Sequence, residues 1–426
     1  MERSGDPVSI DITKLADSLI GKLGTLYPLS KEACIYRVPP KIRMLDESLY
    51  TPTTVSIGPL HHRREELKAM EEHKLRYLQH FLQRPNVILN DLLTLIKNKE
   101  QKLRGCYAET IQLGSEDFVE MILLDVVFLL EILLRWSLSD FDRSEDRIIG
   151  NPRMIIDIRY DIWFLENQLP LFILRDLFEL ANPASISLSK LTSEFFKYLY
   201  EPLLFDKDLL ESHFSEAKHF LDLLRLCLLP PPSNSDTKNE SMFSPMAPTI
   251  MELHRAGVKF KVRSTRHFFD IRFHNGTLEL PKMKNIGNYT GHLFRNLQLF
   301  ERFHCDTDTN NVNDFIIFLN GLINDPKDAD LLVHNGVIEN RAWDSEGLSD
   351  LLQQLNKNAR MKHNRFGYVD LVKDLNNYCK SPWNKRRANL MENYFKTPWA
   401  TISVIAAAIL LILTFIQSVC SVMGVL

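Results

Sequence analysis

No aspartate, glutamate, lysine or arginine occurs from Thr397 to Leu426, and within that stretch Ile402 to Ile416 is almost wholly Ile, Leu, Val, Ala and Phe. A segment this apolar has two stable fates. It is buried in a core, or it crosses a bilayer as a helix of about 20 apolar residues. Ten positions from Ile402 to Ile416 are Ile, Leu, Val or Phe, which favours insertion by about 3 to 6 kcal/mol before polar losses. Ser403 and Thr414 can return their hydroxyls to the helical backbone. Trp399 suits the headgroup layer, and Pro398 suits a first helical turn. The expectation is a single transmembrane helix over 397–420, with Trp399, Ile402, Ile405, Ile409, Leu413 and Ile416 as anchor residues and a short tail at 421–426. The competing reading is a buried C-terminal core helix, though core helices rarely run this far without a charge.

The flanks give a direction. Lys380, Lys385, Arg386, Arg387 and Lys396 precede the run against one acid, Glu392. Basic flanks stay cytoplasmic, and Lys385, Arg386 and Arg387 are candidates to contact anionic lipid heads. Met1 to Leu15 carries Glu2, Asp6 and Asp11 without an apolar core, unlike a signal peptide. The simplest topology is a tail anchor with the N-terminal domain in the cytosol. The alternative puts that domain outside the cell, where the sequons at Asn239, Asn275 and Asn288 permit glycosylation.

Of the 426 residues, 45% are hydrophobic and 25% charged, which excludes wholesale disorder. A net charge of −3 gives no broad field for nucleic acid. Six cysteines stand without a C-x-x-C pair, which argues against a zinc module and fits thiols in a reducing compartment.

Most of the chain reads as helix. Leu67, Met70, Leu75, Leu78, Phe81 and Leu82 form a stripe at helical spacing that Pro85 ends. Phe118 to Trp136 is a very apolar run interrupted by Asp125, Glu131 and Arg135, which predicts a central core helix. Met154 to Leu180 is similar, with Pro170 expected to kink or restart it, and Phe214 to Leu229 is amphipathic. Polyproline and small polar residues then predict a linker at 230–247. Around Asn275-Gly276 the period changes: Phe269, Ile271 and Phe273 alternate before it, and Leu278 and Leu280 after it. That pattern predicts a β-hairpin at about 268–281 packed on helices. Helical periodicity resumes near Leu293, Val312, Leu348 and Tyr368. The expected organisation is a partly helical N-terminal segment (1–33), a helical lobe (34–229), the linker, and a second lobe (248–396) before the anchor. The fold class is mainly α.

Ordered motifs carry a resemblance. They are Ile35-Tyr-Arg-Val-Pro39, Val55-Ser-Ile-Gly-Pro59 with His61-His62, and Met70-Glu71 with Lys74-Leu-Arg-Tyr-Leu78. Leu165-Glu-Asn-Gln-Leu-Pro170, Ala256-Gly-Val-Lys-Phe260, Leu293-Phe-Arg-Asn-Leu297 and Tyr394-Phe-Lys-Thr-Pro-Trp399 follow. Together, from about Cys34 to Ser421, they resemble the plant family called domain of unknown function 247. The resemblance implies a plant protein with a C-terminal span and no assigned enzymatic activity; some relatives are implicated in grass self-incompatibility recognition. Two departures stand out. The family usually has Asp-Gly where Asp125-Val126 stands, and Tyr-His-His-Gly where Leu60-His61-His62-Arg63 stands.

Two constellations could carry chemistry. His61, His62 and His73 lie near Glu65, Glu66, Glu71 and Glu72. Adjacent histidines diverge, and no H-E-x-x-H occurs, so a turn-bonding histidine beside a solvated acidic face is favoured over a metal site. No metal or cofactor is expected. Asp161, Glu166, Asn167 and Gln168 fall in an apolar stretch read as helix. A polar core network with Arg135, Arg159 or Arg175 is favoured over a catalytic acid–base pair. Asp125 and Glu131 lie too far apart on a helix to make a paired site. The reading is a membrane-anchored recognition or signalling module acting through protein partners. The alternatives are a membrane-tethered hydrolase or transferase using Asp161 and Glu166, or an extracellular recognition domain of the self-incompatibility type.

Overall fold

A computed structural model describes residues 11–24, 30–44, 46–85, 87–138, 146–181, 183–200, 207–229, 246–284, 287–305, 311–339, 345–359, 366–384, 386 and 398–423. The fold is mainly helical with two small sheets. It divides into two compact units, Met1–Thr192 with Lys218–Leu221, and Ser193–Ala217 with Asp222–Leu426. Most of the linker, 230–245, lies outside the described residues, as do Lys385, Arg387 and Asn239.

The first unit is built around the helix Ser115–Ser137. Phe118 and Val119, then every residue from Met121 to Arg135, are buried. Burying one large apolar side chain is worth about 1.5–3 kcal/mol, and this helix does so on every face. Helices Ala69–Phe81, Leu89–Gly105 and Leu171–Ala181 pack around it. Asn151 caps Pro152–Asp161, its side chain accepting from the Arg153 and Met154 amides with Pro152 in the first turn.

Pro170 restarts the helix rather than kinking it: regular structure stops at Asp161 and resumes at Leu171, so the helical reading of the stretch between them fails. Glu166, Asn167 and Gln168 therefore lie in a non-helical connection. Pro170 disfavours helical geometry at the residue before it. The Asn167 and Gln168 side chains occupy backbone carbonyls at Asp161, Ile162 and Phe164 that a continuing helix would use.

In the second unit the hairpin forms. β2 (Arg272–His274) and β3 (Thr277–Pro281) pair antiparallel across Asn275 and Gly276, whose φ values are 49° and 69°. Both central residues left-handed is the turn that matches strand twist. One further pairing extends it beyond a ribbon, and another forms a separate two-stranded sheet. β1 (Lys259–Arg263) joins β3 in parallel, and β4 (Met283–Lys284) pairs in parallel with β5 (Ile338–Glu339). Behind the sheet, Phe268, Phe269, Phe294 and Phe315 cluster, with Phe269 and Phe315 ring centroids 4.5 Å apart. Glu301, on helix Asn288–His304, accepts the Val312 amide at 2.9 and 3.1 Å and so caps helix Asn311–Leu322.

The charge-free C-terminal run is helical over Pro398–Met423, 26 residues. At 1.5 Å per residue the helix is about 39 Å long. All its described side chains are exposed, so it is not a core helix. Among the described residues no helix is long and apolar enough to cross a membrane.

Candidate functional site: a clasped loop in the first unit

Residues 53–58, Thr-Thr-Val-Ser-Ile-Gly, form neither helix nor strand, and Val55 to Gly58 are buried. A buried irregular segment needs partners for its backbone groups. Three side chains from distant parts of the chain supply them. Asp161 accepts the amides of Thr53, Thr54 and Val55 at 3.0, 2.7 and 2.8 Å. Asn167 accepts the Ile57 amide at 2.7 Å and donates to the Val55 carbonyl at 3.0 Å. Asp125 accepts the Gly58 amide at 2.7 Å.

Gly58 is required twice over. Its φ is 76°, and a Cβ there would lie 2.6 Å from the Gln168 carbonyl oxygen. Gln168 holds the same corner, since its carbonyl accepts from Tyr107 at 3.0 Å and its side chain accepts the Leu221 amide.

The charges are compensated in place. Lys74 is fully buried and lies 2.6 Å from both Asp125 and Glu71, while donating to the Ser56 carbonyl at 2.7 Å. Burial pulls its ammonium down, but Asp125 and Glu71 outweigh that and leave its pKa raised. Burial pushes Asp125 and Asp161 up to about 6 each, against Lys74 in one case and three amides in the other. Glu166 accepts the Val38 amide, pairs with Arg43 at 2.5 Å, and pairs with His61 at 2.8 Å. Burial raises its pKa, but His61, Val38 and Arg43 together hold it below the usual range.

Nearby, Glu131 and Asp146 form a second compensated group. Glu131 pairs with Arg84 and with Arg135 at 2.7 Å. Arg135 reaches Asp146 at 2.8 Å and stacks over Tyr77, whose hydroxyl donates to Asp146 at 3.0 Å.

All four residues of the expected polar network are thus engaged, but with other partners. Arg43 and His61, rather than Arg135, Arg159 or Arg175, balance Glu166. Arg135 belongs to the second group, and Arg159 stacks over Trp136. The His61 side chain, expected to bond the turn after Pro59, pairs with the Glu166 carboxylate, and burial lowers the pKa of His62. Among the described residues no group of three His, Cys, Asp or Glu could hold a metal ion. Carboxylates each bonded to amides or cations have little freedom to move protons, so the arrangement is a clasp that fixes a loop. Missed by the sequence were the loop amides themselves and Lys74 as the counter-charge of Asp125. The one available signal was the pairing of the Val55–Pro59 motif with the Leu165–Pro170 motif.

The other candidate residues are dispersed. Asn275 is exposed at the hairpin turn, and Asn288 begins a helix. Arg386 is exposed. Ile402, Ile405, Ile409, Leu413 and Ile416 lie on the exposed C-terminal helix, in which Trp399 contributes to the first turn.

A family model described as a plant protein of unknown function, DUF247, matches residues 35–413. The chain is similar to UPF0481 protein At3g47200 of Arabidopsis thaliana, with 29% identity over 423 residues, 93% of this chain and 87% of that one. It is also similar to Putative UPF0481 protein At3g02645 of the same organism, at 24% over 482 residues, 90% of this chain and 89% of that one. No solved structure matches the chain.

Proposed function

The chain belongs to the DUF247 family of plant proteins, and from that premise we propose that it is a membrane-anchored recognition or signalling module acting through protein contacts. The observation that carries this reading is the exposure of the C-terminal helix. Leu410 and Leu411, which lie on different sides of it, are 64% and 72% exposed, and Phe415 is 71% exposed. A helix that is apolar all round belongs in a core or in lipid, and these side chains are in no core. The basic residues Lys385, Arg386 and Arg387 support a cytosolic side for the preceding domain.

Anchoring supplies the energetics of recognition. Confinement to one surface raises the effective concentration of partners in that membrane, so weak contacts suffice. The clasp gives no comparable support to a tethered hydrolase, since Asp161 and Glu166 are occupied by amides, Arg43 and His61.

Extraction of membranes with alkaline carbonate tests the anchor: the protein is expected in the pellet, and its release would overturn the reading. Proximity labelling then tests recognition, with enrichment of a small set of membrane proteins expected over the bulk background.

One observation favours a second reading, an extracellular recognition domain. Asn275 is exposed at the tip of a hairpin and lies in an Asn-Gly-Thr sequon. A mobility shift on endoglycosidase treatment that Asn275→Gln removes would select it over the cytosolic placement.

A further inference from the structure

Six cysteines are present as thiols, and two of them lie side by side. Ile35 and Tyr107 form an isolated parallel bridge. The amides of Cys34 and Ile35 both reach the Cys106 carbonyl at 2.9 Å, and the Ala108 amide reaches the Ile35 carbonyl at 2.9 Å. Cys34 and Cys106 stand one place before the bridge partners. Cys106 caps helix Leu89–Gly105 in helical geometry, with φ −76° and ψ −17°, and the bond from the Cys34 amide to its carbonyl puts the two backbones in direct contact, the close approach a disulfide needs. Both side chains are buried, and their thiols are hydrogen-bonded to each other.

We propose that Cys34 and Cys106 are a dithiol site that small-molecule disulfides oxidise to a reversible intramolecular disulfide. The hydrogen bond from Cys34 holds the Cys106 thiol below its ordinary range, against burial that raises it, so Cys106 is the attacking sulfur. A cavity of about 230 Å³ adjoins this part of the chain. It is lined by Ala33, Gly105 and Tyr107, the chain neighbours of the two cysteines.

The exchange balances. Cys106 loses its proton and its thiolate attacks one sulfur of oxidised glutathione, releasing one glutathione thiolate and leaving a mixed disulfide. Cys34 then loses its proton and attacks the Cys106 sulfur, releasing the second glutathione thiolate. The protein loses two electrons, glutathione disulfide gains them, and the two protons end on the released thiols. The new bond would tie the start of the Ile35–Pro39 segment to the end of helix Leu89–Gly105. It would thereby hold Val38, whose amide donates to Glu166 in the clasp.

The test uses the full chain in detergent micelles. It is incubated with oxidised glutathione, unfolded in guanidinium with iodoacetamide so that every remaining thiol is alkylated, digested and mapped by mass spectrometry. A peptide pair joined through Cys34 and Cys106, lost on adding dithiothreitol, is expected. Cys227, whose thiol burial pushes up to about 12, is expected to carry only the alkyl group. Mapping the natural chain avoids dependence on a variant that folds poorly. Cys34→Ser should in addition leave Cys106 carrying glutathione as a persistent adduct. Recovery of both cysteines as alkylated thiols, or a glutathione adduct on Cys106 of the natural chain that never resolves, would overturn the proposal.

Discussion

Arg63 has a φ of 66°, in the left-handed region. A side chain with a Cβ sits there at a cost of about 1–2 kcal/mol. The guanidinium contacts Asp117 at 3.0 Å, but both groups are about half exposed or more, and such pairs contribute about 0–1 kcal/mol. Arg63→Gly is therefore expected to raise stability by about 0.5–1 kcal/mol; a urea midpoint that stays or falls would contradict this. The Lys74–Asp125 pair behaves oppositely, because both members are buried. Asp125→Ala leaves the buried ammonium with Glu71 and the Ser56 carbonyl and deprives the Gly58 amide of its acceptor, and should cost about 3–5 kcal/mol. Combining it with Lys74→Met should recover more than half of that loss, and denaturation of the single and double variants measures it. At this scale the sequence showed which polar residues are buried, since Glu166, Asn167 and Gln168 interrupt an apolar run. It did not show their partners. Asp161, Asn167 and Asp125 bind backbone amides, and every residue type except proline has one, so residue identity leaves no trace of the choice.

Among elements, the hairpin was legible because Asn275-Gly276 supplies the two positive φ values that its turn needs. β1 was hidden. Lys259, Lys261 and Arg263 flank Phe260 and Val262, and Val262 is 41% exposed, so alternation gives it no clean buried face. Its parallel partner is reached only through the intervening connection and hairpin. The capped helix Asn311–Leu322 carries a pH dependence. Burial pushes Glu301 up to about 8 and the helix's own Asp314 up to about 7. Both folded values lie above the unfolded ones, so the folded unit holds protons that the unfolded chain releases. The stability this contributes is fully present below about pH 4, falls through the intervening range, and is gone above about pH 8. Thermal melts should therefore drop in midpoint from pH 5 to pH 8. Glu301→Gln should flatten the slope, most visibly between pH 7 and 8; an unchanged slope would contradict the assignment.

For the whole molecule, the apolar helix Pro398–Met423 sets behaviour in solution. A chain ending at residue 396 is expected to stay monodisperse without detergent, whereas the full chain aggregates unless micelles cover the exposed Ile and Leu side chains. Size-exclusion chromatography with and without detergent distinguishes the two, and identical profiles would contradict the prediction. The mainly helical class was legible from periodicity, because helical contacts are local. The two-sheet pattern was not, because its parallel pairings join separated segments. The clasp has a further consequence, for synthesis. Thr53 waits for Asp161, 108 residues later, and Ile57 waits for Asn167, 110 residues later. Until those residues leave the ribosome, the amides of this loop can be hydrated only by water. The nascent N-terminal third thus emerges incomplete, and its loop closes only after residues 161–167 have been made.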